Sequence, residues 1–152
     1  MTAGAAPAPD LLALGIRQPW AELILQGVKT VEVRSLSTNV RGTIYLYAGK
    51  RLAVDAAARG AIARHGLRVD ALPLGRLVGT VEIVDCRRIS GDDAEKACVP
   101  GELAAGQWGW LLAKPQRLPE PLTVRFLPYG VWFYPFRRRD EKRGRALRRR
   151  TL

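Results

Sequence analysis

Apolar and polar residues alternate over VEVR at 31–34, with Val31 and Val33 set against Glu32 and Arg34. A period of two predicts a strand. The run LLALGI at 11–16 predicts a buried strand before it, and RQPWAELILQG between the two reads as a helix. Trp20, Leu23, Ile24 and Gly27 fall on one helical face, Pro19 suits the first turn, and Gly27 suits the stop. Downstream, TIYLYAG predicts a third strand, rich in β-branched and aromatic residues. The Ala-rich RLAVDAAARGAIARHG predicts a second helix, with Gly60 as a point where it could break. GRLVGTVEIVDCRRI predicts a long strand in which Gly79 marks a bulge or a close backbone approach. GDDAEKACVPGEL reads mostly as loop with a helical turn, QWGWLLAKPQRL as a strand, and LTVRFLPYGVWFYPF as one or two more.

Five to six strands with two flanking helices predict an α+β domain built on a small β-barrel, since barrel closure removes the edges of short strands. The expected boundaries are a disordered segment over 1–10, rich in Ala and Pro, a folded domain over 11–136, and a basic tail over 137–152. In "VKTVEVRS" (28–35) the valines are expected to face the barrel core, with Thr30, Glu32 and Arg34 on the other side. Strict alternation puts Lys29 with the valines, so only its place at the strand entrance could bring it to the polar side.

Charge changes this picture. The 152-residue chain carries a formal net charge of +11. The stretch FRRRDEKRGRALRRRTL holds nine Lys/Arg and two Asp/Glu, so 9 − 2 = +7 of that +11 lies at the C-terminal end. Such a block attracts polyanions, with nucleic acid as the first expectation, an acidic membrane surface as the second and simple solubilisation as the plain alternative. Arg137, Arg138 and Arg139 are its leading cations. One histidine, His65, and two cysteines, Cys86 and Cys98, without a CxxC pair, supply no metal cluster and no catalytic triad, so no cofactor and no metal are expected. His65 reads as a helix-end residue. The first ten residues lack the basic and apolar regions of a signal peptide, and no apolar run approaches a bilayer span, so the expected location is cytoplasmic.

IRQPWAELILQGVKTVEVRS resembles the opening motif of ASCH domains, members of the PUA-like superfamily, and the similarity continues through RGTIYLYAG, LPLGRLVGTVEIVDC, WGWLLAKPQRLPEP and YGVWFYP. The resemblance spans roughly residues 11–135. It implies a PUA-like barrel with a cleft between barrel and first helix that takes RNA or a modified nucleoside. It also places the family's polar positions on Arg17, Gln18, Lys29, Thr30, Glu32 and Arg34. The residue chemistry is compatible. Guanidinium forks grip phosphates or base edges, and Gln18 offers both a donor and an acceptor. Trp20, Tyr47, Trp108 and Trp110 are stacking candidates. Each has a plain structural alternative: Trp20 as helix packing, Glu32–Arg34 as a surface ion pair.

A nucleic-acid-binding module is therefore the first expectation. A small hydrolase is the alternative, because some ASCH proteins are amidohydrolases acting on acetylated cytidine and others have been proposed as ribonucleases. That resemblance centres catalysis on Lys29; in this chain the residue chemistry offers a Lys29–Glu32 pair for acid–base work. The chain departs from it where the amidohydrolases carry a threonine and this sequence has Glu32. Their downstream acid has only Glu95 or Glu102 as loose counterparts. An interaction domain of a larger complex is a third reading.

Overall fold

LLALGI does become a strand, β1 (Ala13–Ile16), and it pairs with two neighbours: parallel to β3 (Gly42–Ala48) and antiparallel to β6 (Trp132–Phe133). The computed structural model describes residues 8–138. The first seven residues and Arg139 onward, with most of the basic tail, lie outside them. With α1 (Trp20–Leu25), β2 (Val31–Arg34), β4 (Arg76–Arg88) and β5 (Trp108–Leu122), the described strands form one sheet in the order β2-β5-β4-β3-β1-β6. The chain has the α+β, PUA-like barrel fold expected of it, as a curled half-barrel.

Two tryptophans measure the curl. Trp110 on β5 and Trp132 on β6 are four strand spacings apart, about 19 Å in a flat sheet. Their rings stack at 5.6 Å with planes 10° apart. Leu14, Ile16, Ile24, Ile44, Leu46, Val81 and Ile83 fill the space enclosed with Trp110. Both faces of β3 are buried: Ile44 and Leu46 enter this core, while Tyr45 and Tyr47 pack on Leu77 and Phe133 in a second cluster.

The helices depart most from the sequence expectation. α2 (Ala56–Arg64) runs straight through Gly60, started by the Asp55 carboxylate accepting from the Ala58 amide at 2.9 Å. The GDDAEKACVPGEL segment forms two short helices, α3 (Ala94–Ala97) and α4 (Gly101–Ala104), entered through a Ser90–Asp93 capping box. Among the described residues four α-helices thus stand where two and a single helical turn were expected, because helices of four residues are too short to show a period. Between Val124 and Phe136 only β6 forms, its neighbourhood broken up by Pro128, Gly130 and Pro135. β5 absorbs Pro115 through a register shift against β4 and a positive φ of 52° at Lys114. Glu22 on α1 is bound by both guanidinium nitrogens of Arg117 on β5 at 2.8 Å each, bracing the helix against the sheet. Burial would raise the Glu22 carboxyl, but those bonds prevail and hold it below its ordinary value.

Gly79 combines both of its expected roles. It borders register shifts toward β3 and β5, and a Cβ there would meet the Leu25 methyl and stand 2.5 Å from the Gln116 carbonyl oxygen. Because the second obstacle is backbone, Gly79→Ala is expected to destabilise the fold by about 1–3 kcal/mol, read as a lower midpoint in urea unfolding. No helix among the described residues is long and apolar enough to cross a membrane.

Candidate nucleic-acid interface

Lys29 owes its place to the end of α1. Gly27, at φ +77°, turns the chain, and the amides of Val28 and Lys29 both donate to the Leu23 carbonyl, at 3.1 and 3.0 Å. The side chain is thereby freed from the parity of β2. Its ammonium donates to the Ala97 carbonyl on α3 at 2.5 Å, lies 3.5 Å from Glu32 Oε1, and sits 5.0 Å from the centre of the Trp20 ring. Only 2% of Lys29 and 6% of Glu32 is exposed, which makes them an interior pair rather than a wetted face. Burial pushes the Lys29 amine down from its ordinary value, and Glu32 offsets this only in part. The neighbouring Cys98 thiol is pushed up by its own burial, against the pull of Lys29.

Arg34 extends the pair into a chain of contacts. Its Nε donates to Glu32 Oε2 at 2.8 Å, its Nη2 donates to the Gly15 carbonyl at 3.2 Å, and its guanidinium lies 5.3 Å from the Trp110 ring centre. Glu32 is paired in register with Trp110, so the charged side of β2 faces the inside of the curled sheet. The valines do the reverse of what was expected. Val31 packs with Ile89, Ala97 and Ala104 beneath α3 and α4, with Val33 beside it, not in the main core. The two short helices, where only one helical turn was expected, supply that second apolar surface, which is why the strand can turn its charges inward.

A groove of about 540 Å³ opens where β1 and β3 end. It is lined by Gly15, Arg17, Tyr47 and Gly49, by Lys50, and by Leu127, Pro128, Gly130 and Val131. Arg17 and Lys50 are exposed, and neither has a carboxylate partner among the described residues. Tyr47 is buried edge-on against Phe133 at 5.3 Å, and its hydroxyl has no hydrogen-bond partner among the described residues. Burial pushes that phenol up. Arg34 joins this groove to the interior pair, since the carbonyl it holds belongs to the lining residue Gly15.

The other residues singled out from the sequence are dispersed. Gln18 is fully buried, donating to the Pro73 carbonyl at 3.2 Å and accepting from the Glu22 amide at 2.9 Å, so both ends of its amide are engaged in holding α1. Thr30 is half-buried, its backbone tied to Lys96 and Leu112. Trp20 packs between the main core and the cluster of Leu23, Ala61 and Cys98. Trp108 is half-buried under the Arg88 guanidinium, 4.4 Å from its ring centre, and Trp110 is buried with Nε1 donating to the Leu36 carbonyl at 3.0 Å. Arg137, expected at the head of a solvated tail, is buried, ion-paired to Asp10 and stacked 4.0 Å from the Tyr134 ring centre. Arg138 is exposed, and Arg139 lies outside the described residues. Glu95 and Glu102 are exposed on α3 and α4, and His65 closes α2. Lys50 and the 127–131 wall escaped sequence reasoning, because a lone lysine after a strand and a Pro/Gly segment carry no periodic signal.

Among the described residues, no group of three His, Cys, Asp or Glu is placed to hold a metal ion. The ASCH domain family matches residues 14–121. No curated protein matches the chain by sequence. Among solved structures, the chain is similar to the ASCH protein from Zymomonas mobilis at 14% identity, covering 91% of this chain and 95% of that one, with a TM-score of 0.58. Two mutant forms of that protein also match. One is 14% identical over 93% of this chain and 98% of its own, with a TM-score of 0.52. The other is 12% identical over 90% and 96%, with a TM-score of 0.50.

Proposed function

Because the chain belongs to the ASCH domain family, we propose that it is a nucleic-acid-binding module whose partner is RNA and whose nucleotide site is the groove at the ends of β1 and β3. One observation carries this reading: Arg17 and Lys50 border a groove of about 540 Å³ with no carboxylate partner among the described residues. The volume suits a nucleotide-sized ligand, and uncompensated cations suit phosphate. Lys29, Glu32 and Arg34 then act from behind the wall, with Arg34 fixing the Gly15 carbonyl. Substituting Arg17→Ala and Lys50→Ala together is expected to lower the affinity for single-stranded RNA about tenfold or more and to flatten the salt dependence by about 1.4, at about 0.7 per lost phosphate contact. Wild-type affinity and slope in that variant would sink the proposal.

The hydrolase reading keeps one observation in its favour, the downward push on a buried Lys29 amine beside Glu32. An amine of that kind is suited to base or nucleophilic chemistry. Its burial also keeps substrate from it in this conformation. Turnover of acetylated cytidine that disappears in Lys29→Ala, with folding retained, would establish the enzyme.

A further inference from the structure

Phe126 carries two guanidiniums. Arg125 lies 5.1 Å and Arg138 6.0 Å from its ring centre. The arrangement is built into the backbone: the amides of Arg125 and Phe126 both donate to the Pro135 carbonyl at 3.0 Å, which pins this stretch beside the chain leading to residue 138. Both arginines are exposed, and Arg125 has no carboxylate partner among the described residues. Leu127, the residue after Phe126, is already a wall of the groove. Arg139, the residue after Arg138, begins the stretch that contains most of the tail's charge.

We propose that Arg125, Phe126 and Arg138 form a second RNA subsite, a bridge that carries a single strand from the groove to the basic tail. The inference rests on the groove as nucleotide site and adds the direction in which the strand leaves it. A guanidinium held against an aromatic ring is oriented without losing its charge, so it meets a phosphate at reduced entropic cost. Guanidinium planes also serve as stacking surfaces for unpaired bases. A strand occupying the groove that continues past Leu127 meets these cations next, since both lie against Phe126, the neighbour of Leu127 in the chain.

The test compares a uridine dinucleotide with a single-stranded oligouridine of about 15 nucleotides, within the reach of known single-strand sites, on the full chain. Arg125→Ala with Arg138→Ala is expected to lower affinity for the long strand about tenfold and to reduce its salt slope by about 1.4. Dinucleotide binding stays at the wild-type level. Arg125→Lys with Arg138→Lys is expected to restore most of the slope, which a merely structural role would not predict. Unchanged long-strand affinity and slope in the alanine variant, with normal dinucleotide binding, overturn the bridge alone. If neither probe binds the wild-type chain, the groove reading falls and takes the bridge with it. Anionic lipid vesicles that depend on these two arginines while the long strand does not would likewise overturn the RNA assignment.

Discussion

Glu32→Ala is expected to destabilise the domain by about 3–5 kcal/mol, the usual cost of removing one partner from a buried ion pair. The substitution leaves the Lys29 ammonium, 2% exposed, with the Ala97 carbonyl as its remaining hydrogen-bond acceptor among the described residues, and takes from Arg34 the carboxylate that its Nε holds at 2.8 Å. Lys29→Met should cost less, because it removes the buried charge and keeps the volume of the stem. The combined Lys29→Met, Glu32→Gln variant should recover part of the Glu32→Ala loss. A decrease below about 1 kcal/mol for Glu32→Ala in equilibrium urea unfolding would show that the pair is not the buried unit described above.

The same variants should differ with pH in a defined direction. Burial holds the folded-state Lys29 amine below its ordinary value of 10.5. Between the folded and unfolded values the unfolded chain binds more protons, so this group's contribution makes stability rise with pH across that window. Below the folded value the penalty for keeping the charge buried is present in full. Removing Glu32 removes the neighbour that raises the amine, so the window widens downward and the alkaline recovery of Glu32→Ala should begin earlier than in wild type. Lys29→Met should lack this component. Tyr47 acts oppositely, since its folded-state phenol is raised by burial and its contribution falls as pH passes the unfolded value. The informative quantity is therefore the difference between wild type and Lys29→Met, in which Tyr47 cancels.

How legible the molecule was in its sequence depended on the range of the cause. The strands around β1, β2, β3 and β4 stood out because alternation or an apolar run is a local pattern, and Gly27 marked its turn because the left-handed backbone there favours glycine. The parity of β2 was not local. Val31 faces outward only because α3 and α4 bring Ala97 and Ala104 over it, and those helices are too short to announce themselves. Gln18 shows the same limit at the site: its type suits a base edge, yet its surroundings use both ends of the amide to hold α1. Lys50 shows the converse, a residue without any pattern that gains meaning from the wall opposite it.

Truncation after Arg138 is expected to weaken binding to long single-stranded RNA more than any single substitution. Residues 139–152 contain seven Lys/Arg and two Asp/Glu, a net 7 − 2 = +5. At about 0.7 per phosphate contact, seven contacts would steepen the salt slope by about 5, so a fourfold rise in salt would cost the full chain about 10³-fold more affinity than the truncated one. The cut belongs after Arg138 and not before Arg137, because Arg137 is 7% exposed and ion-paired to Asp10. Removing it would confound lost RNA contacts with lost packing at the other end of the domain. With Arg137 and Arg138 retained, the groove and the Phe126 bridge stay intact, and dinucleotide binding should match the full chain. A truncated chain that keeps the full salt slope for long RNA would take the tail out of the binding mechanism and leave all of the electrostatic attraction to the folded surface.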